Sequence, residues 1–431
     1  MPRTRTTAAL LALAMAAPLS ACSVGSDSSS SSGSSKGTQE ITFLTFETPN
    51  LTPQYWDAAI KRVTAKYPYI KVKRLVSPTA DRTAYAKQLR ASGQLPDVMI
   101  AVAPTGFAEA GDLYAWQPSE LKDFLFPGAG AINGKIYQLP TNSQSIPNVY
   151  YRKSIFTAAG ITAPPKTYAE LLADCAKLKA KGTTPFVVGG GKDAFPTVLP
   201  LTGTVGTDVY RKTPDWMDRR RDGKVKFAEP DFVGALKKVG DLASKGYIDS
   251  KMVSLDYAAT EQAFLKGKGA MYPMGSWFAA SGDKSPIKND IGVFPWPTDD
   301  GSELMPVYTG GGIDVNAHAK NLDAARKFAL AFQLDQTNLD ASVKSDALFP
   351  AIKGYKQPSD MGPVFTETYD LWKQAVKDQA IVKAFAWETG DDALLPGVDA
   401  KVFAATQDVI LGRKSPEAAA VYLDDEWKKA S

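Results

Sequence analysis

The hydrophobic period of the chain switches repeatedly between residues 41 and 102, and this limits the fold more than any other feature. Ile41–Phe46 reads as a strand, and Thr52–Lys66 then carries Tyr55, Trp56, Ala59, Ile60 and Val63 at helical spacing. Ile70–Val76 alternates like a second strand, Ala84–Ser92 reads as a helix, and Asp97–Val102 is a continuous apolar run suited to a buried parallel strand. Strands alternating with helices imply a sheet covered on both faces. The polar, proline-bearing stretch Pro140–Pro147 lies between Tyr137–Leu139 and Val149–Tyr151, and reads as a first crossing between two lobes. Strands are then expected at Pro185–Val188, Ala270–Met274 and Ile291–Pro297, and helices at Tyr168–Lys181, Asp231–Lys245 and Ala258–Lys266. The first of these helices opens with the capping box Thr167-Tyr168-Ala169-Glu170. Val307–Val315, broken by Gly310-Gly311-Gly312, would return the chain to the first lobe. The helix Asn321–Gln333 would turn Phe328 and Phe332 inward, and the C-terminal third reads as helical, with Ser415-Pro416-Glu417 opening the last helix. The fold class is α/β.

Before residue 41 the chain is of another kind. Arg3 and Arg5 precede an apolar run, Ala8–Ala17, which as a helix spans about 15 Å, half of a hydrocarbon core. That is the plan of an export signal. Leu19-Ser20-Ala21-Cys22 resembles a bacterial lipobox, which implies cleavage before Cys22 and acylation of its thiol. Acyl chains anchor by about 0.8 kcal/mol per buried methylene. The serine-rich residues after Cys22 hold almost no apolar side chains and cannot offset the entropy of ordering, so they read as a tether. Gly33-Ser34-Ser35-Lys36-Gly37 matches a hydrolase pattern only formally, since it lacks the strand–turn–helix setting.

Composition narrows the function. A formal net charge of +4, reduced further once Arg3 and Arg5 are removed, argues against a nucleic-acid partner. The single histidine, His318, rules out zinc sites of the usual two- or three-histidine types and reads as a surface loop residue. With Cys22 assigned to lipid, Cys175 has no disulfide partner. It shares a helical stripe with Leu171, Leu172 and Leu178, which is a core position. No Walker A, dinucleotide or EF-hand motif is present, so no cofactor and no metal is expected.

Four segments together resemble a known family. They are Tyr150–Ile161 with Pro164–Leu172, Phe264–Trp277, Gly311–Val315 before the Asn321 helix, and Leu411–Ala419. In this order, behind a lipobox, they resemble the family 1 extracellular solute-binding proteins, the carbohydrate-capturing lipoproteins of ABC importers. The resemblance implies a two-lobed periplasmic-binding-protein-like fold of type II, each lobe a mainly parallel sheet flanked by helices, with a ligand cleft between. It implies a signal peptide at 1–21, the lipidated cysteine and disordered tether at 22–40, a first lobe at 41–145 and 308–348, and a second at 146–307 and 349–431. In open parallel sheets ligands sit beyond the carboxyl ends of strands, and hinge closure buries them.

Several residues match positions where the family contacts sugar. Glu47 follows the first strand, though it also suits a helix N-terminus. Asn142 and Ser145 lie on the first crossing, where turn chemistry is the alternative. Asp193 and Phe195 follow the expected strand and glycine run at 185–191. Trp277, after Gly275-Ser276, would stack on a pyranose or else pack in the core. Gly311 and Gly312 would let backbone approach ligand, or form a bulge. Trp387 would add a second aromatic wall. Ala103-Pro104-Thr105 departs from the contacts of some members, so the sugar stays open. The expected protein is a monomeric, non-enzymatic receptor, lipid-anchored at the outer face of the cell membrane, that passes a sugar to ABC permease subunits. A surface glycosidase, with two opposed carboxylates, and a sugar sensor docking on a kinase are the alternatives.

Overall fold

In the computed structural model, residues 37–431 are described except for 80, 141, 193, 311 and 388; the export signal, Cys22 and most of the tether fall outside the described residues. Residues Thr38–Ser431 form one compact unit. With strands numbered along the chain, the first sheet has the order β2 (Ile70–Val76), β1 (Gln39–Thr45), β3 (Val98–Ile100), β10 (Ile313–Val315), β4 (Gln138–Leu139). β1 pairs parallel with β2 and β3, as the alternating pattern requires. β10 runs antiparallel to β3 and β4, because it brings the chain back from the far side of the molecule.

This first sheet carries its own core. Phe43 meets the rings of Trp56, Phe328 and Phe332 edge-on at 5.3–6.1 Å, joining β1 to the helices Pro53–Lys66 and Leu322–Leu334. Each such fully buried aromatic is worth about 1.5–3 kcal/mol of transfer free energy. The helix Pro53–Lys66 starts where Thr52 caps it and proline occupies its first turn.

A second sheet, β7 (Met271–Met274), β6 (Asn148–Arg152), β8 (Ile291–Pro295), has β6 antiparallel to both neighbours. The expectation of a mainly parallel sheet in each lobe is therefore corrected: both lobes are α/β, but the sheets are mixed. β6 is where the chain enters the second lobe from the crossing, so it runs against strands that begin inside that lobe. Pro185–Val188, expected as a strand, is not one; Phe186 makes only isolated parallel bridges to Ile248 and Met271. The second core is built on the helices Tyr168–Ala180, Phe195–Val205, Pro230–Ser244 and Val398–Ile410, and it holds Cys175 fully buried. The capping box at Thr167 and Glu170 is formed.

Between these sheets lies a third, β11 (Phe349–Pro350), β5 (Asn142–Ser145), β9 (Met305–Gly310), β12 (Ile381–Lys383). Both crossings thus become paired strands: β5 and β9 are antiparallel, with Gln144 opposite Tyr308. The helix Gln336–Asp346 serves both sides, its Leu339 packing in the first core and its Val343 in the second.

Candidate functional site

Five half-buried aromatic side chains converge where the crossing strands meet the second lobe. Trp387 is the centre, with ring centroids 5.8 Å from Trp277, 5.8 Å from Tyr308 and 5.9 Å from Phe195. Phe195 also meets Tyr257 at 5.4 Å, and the Trp277 indole N–H donates to the Tyr257 hydroxyl at 3.0 Å. Phe195 and Tyr257 each open a helix, Tyr308 sits mid-strand on β9, and Trp277 caps the helix Phe278–Lys284, two residues after the Gly275 that follows β7. Three helix starts and one crossing strand therefore hold these four rings. Burial pushes the Tyr257 and Tyr308 phenols far up, so both stay protonated, and Tyr308 donates to the side-chain oxygen of Gln144. The buried Trp387 indole N–H meets no acceptor among the described residues.

Polar groups rim this cluster. Asp346 ends the helix Gln336–Asp346 and keeps partial solvent contact. Its deep setting pushes its carboxyl up to about 7, while the Asn50 hydrogen bond and the charges of Lys284 and Arg82 pull the other way. Asn50 donates to Asp346 at 3.2 Å and to the Trp277 carbonyl at 3.1 Å. The Arg82 guanidinium lies 4.0 Å from the Phe46 ring centroid, and its charge reaches Tyr308. Flat apolar faces beside a few fixed donors and acceptors suit a neutral, hydroxyl-rich ring. No group of three or more His, Cys, Asp or Glu among the described residues could hold a metal ion.

Of the residues singled out from sequence, the structure brings Phe195, Trp277 and Trp387 together. Ser145 and Ser276 have no exposed surface; the Ser276 N–H donates to the Ser145 carbonyl, and Asn148 donates to the Ser145 hydroxyl. Asn142 is buried in β5, opposite Gly310. Glu47 is exposed and pairs with Arg74 at 3.1 Å. Gly312 lies against β4, where an added Cβ would come within 2.3 Å of the Leu139 carbonyl. Asp193 and Gly311 lie outside the described residues.

Sequence reasoning missed Tyr257, Tyr308, Asp346 and Asn50. Tyr308 carried a signal, since an aromatic on a crossing strand has few places to turn. Asp346 carried none: it is an ordinary acid at a helix end, brought to the site by tertiary packing alone.

The family model described as bacterial extracellular solute-binding protein matches residues 48–333. The chain belongs to this family. As a bacterial solute-binding protein it is 23% identical over 339 residues to the multiple sugar-binding protein of Streptococcus mutans, an alignment covering 73% of this chain and 79% of that one. It is similar in structure to a chitin oligosaccharide binding protein, with a TM-score of 0.79, 25% identity, and 91% of this chain and 99% of that one covered. It shares its fold with maltose-bound T. maritima MalE3, with a TM-score of 0.72 and 20% identity, covering 90% of this chain and 99% of that one. The two-lobed architecture is the one these relatives share. These relatives are named as sugar-binding proteins, and another, of Pyrococcus horikoshii, 26% identical over 372 residues, is named as an ABC transporter extracellular-binding protein.

Proposed function

We propose that the protein is a lipid-anchored receptor that captures a neutral mono- or oligosaccharide against Trp277, Trp387, Phe195 and Tyr308 and delivers it to the permease of an ABC importer. The observation that carries this reading is the half-buried aromatic cluster beside Asp346 and Asn50. Its rings stack on the C–H faces of a pyranose, the unpaired Trp387 N–H donates to a hydroxyl, and Asp346 accepts from others. Hinge closure about the crossing sheet would bury the sugar and present both lobes to the permease. Lipid on Cys22 holds the receptor at the membrane, and the serine-rich tether lets it turn.

A glycosidase needs two carboxylates on opposite sides of the scissile bond. Among the described residues, the Glu261 carboxyl is only 3% exposed. A carboxyl buried to this extent is poorly placed to act opposite Asp346, which supports binding over hydrolysis. Calorimetry against maltose, raffinose, chitin oligosaccharides and a control peptide set tests the reading. Heat with at least one sugar and none with peptides is expected; binding of peptides alone would overturn the substrate class.

A further inference from the structure

We propose that the cavity between the helices Pro53–Lys66, Phe278–Lys284 and Gln336–Asp346 is a second binding site, for a phosphoryl dianion held between Arg62 and Lys284. It uses none of the aromatic side chains assigned to sugar and does not depend on that reading. The cavity has a volume of about 390 Å³. Arg62 lines it from the helix Pro53–Lys66, which packs in the first core. Lys284 lines it from the last residue of the helix Phe278–Lys284, which packs in the second. Ser345 comes from the helix Gln336–Asp346, which serves both cores. Asn50, Thr52 and Gln54 add amide and hydroxyl groups, and none of the lining residues is Asp or Glu.

Other cations on these helices are neutralised: Lys66 pairs with Asp335, and Lys344 pairs with Asp360 at 2.7 Å. Arg62 and Lys284 pair with no carboxylate among the described residues. Arg62 gives Nε and Nη2 to the neutral side-chain oxygen of Asn338, at 3.1 and 2.9 Å, and its Nη1 is left over. Lys284 reaches only the Ser345 carbonyl, at 3.5 Å, the outer limit of a hydrogen bond. The charges of Asp335, Asp346 and Glu261 reach these two cations. None of the three lines the cavity: Asp335 is taken by Lys66, Asp346 accepts from Asn50 at 3.2 Å, and Glu261 is buried. Two like charges therefore face one space that holds no counter-charge of its own, and an anion that enters offsets both.

A guanidinium and an ammonium both bind phosphoryl oxygens, the one through its planar fork and the other as a point charge. A tetrahedral dianion can give a different oxygen to each cation and still turn one toward the lining amide and hydroxyl groups. A single carboxylate has both oxygens on one edge and satisfies one cation well. The volume admits a free phosphate ion or a phosphate monoester. Because the two cations stand on helices of different lobes, the bound anion ties the lobes together beside Asn50, which donates to the Trp277 carbonyl.

The test is calorimetry on the full chain with inorganic phosphate, methyl phosphate and malonate, at ionic strength matched with chloride. It compares wild type with Arg62→Gln, Lys284→Gln and, as a control, Lys377→Gln, which changes an exposed cation at the end of the helix Pro363–Lys377. At least one phosphoryl probe should bind saturably, about fivefold or more weakly in Arg62→Gln and in Lys284→Gln, and equally in Lys377→Gln. Lys284 is exposed and makes no ion pair, so Lys284→Gln should keep the wild-type thermal midpoint. Inorganic phosphate binding as tightly as methyl phosphate assigns the site to the free ion, and binding of methyl phosphate alone assigns it to an ester. The proposal is overturned if neither phosphoryl probe binds, if Lys284→Gln binds as tightly as wild type, if Lys377→Gln loses as much, or if malonate binds as well as phosphate.

Discussion

Individual side chains decide both affinity and local stability. Trp277 gives one apolar face to the cleft and is otherwise held by Tyr257, so Trp277→Ala should weaken binding of the cognate sugar by about 1–3 kcal/mol. Calorimetry reads the loss, and an unchanged thermal midpoint shows that the fold persists. Asp314, on β10, is fully buried, and among the described residues its carboxyl accepts from the side chain of Gln138, at 3.2 and 3.4 Å. Burial raises its titration point well above the ordinary carboxylate range. The proton is bound more tightly in the folded state, so the stability it brings is complete below the unfolded carboxylate range and fades as pH climbs through the raised value. Asp314→Asn should therefore gain stability relative to wild type as pH moves from about 5 to about 8. Paired urea titrations at the two pH values measure this.

At the scale of elements, the early strand–helix alternation was legible because its period is local. β2 occupies the expected residues, and the helix expected at Thr52–Lys66 differs only in that Thr52 is its cap. β3 stops at Ile100, short of the expected Val102, because Ala101 turns into the left-handed region at φ +55°. Non-local pairing was not legible. Nothing within Asn142–Ser145 announces a strand, since its partners are β9 and β11, far along the chain. Conversely, Phe186-Val187-Val188 has strand composition but finds only single bridges. The candidate site divides the same way: Trp277 could be read from its motif and Trp387 only from its place before the last helices, while Asp346 and Asn50 are defined by packing between distant elements. Gly312 is an element-scale requirement, as β10 and β4 approach too closely there for a side chain. Gly312→Ala should cost about 1–3 kcal/mol in chemical denaturation, through the clash with the Leu139 carbonyl and the Gln138 side chain.

At the scale of the whole molecule, two segments far apart in the chain meet near the aromatic cluster. The Asn133 N–H donates to the Asp391 carboxylate at 3.0 Å, and the Asp391 N–H donates to the Ala131 carbonyl at 2.9 Å. Gly390, at φ +65°, sits so close to residues 130–131 that an added Cβ would come within 2.4 Å of their backbone. This contact lies three residues beyond Trp387, so one loop carries a wall of the aromatic cluster at one end and the lobe contact at the other. Asp391→Ala should raise the apparent Kd for sugar by lowering the closed fraction, at about 1 kcal/mol for the lost hydrogen bond. X-ray scattering of the sugar-free protein should show a larger radius of gyration for the variant. If Cys22 carries the anchor, Cys22→Ala should move the protein from the membrane fraction to the medium, as immunoblots of fractionated cells would show.

The seam at Asn133 and Asp391 has a practical use. Once Cys22 is acylated or trimmed away, Cys175 is the one native thiol left, and it is fully buried with its titration point pushed far upward. A cysteine introduced at Asn133 would thus be the single reactive handle for a dye, and its brightness would report occupancy without any added reagent.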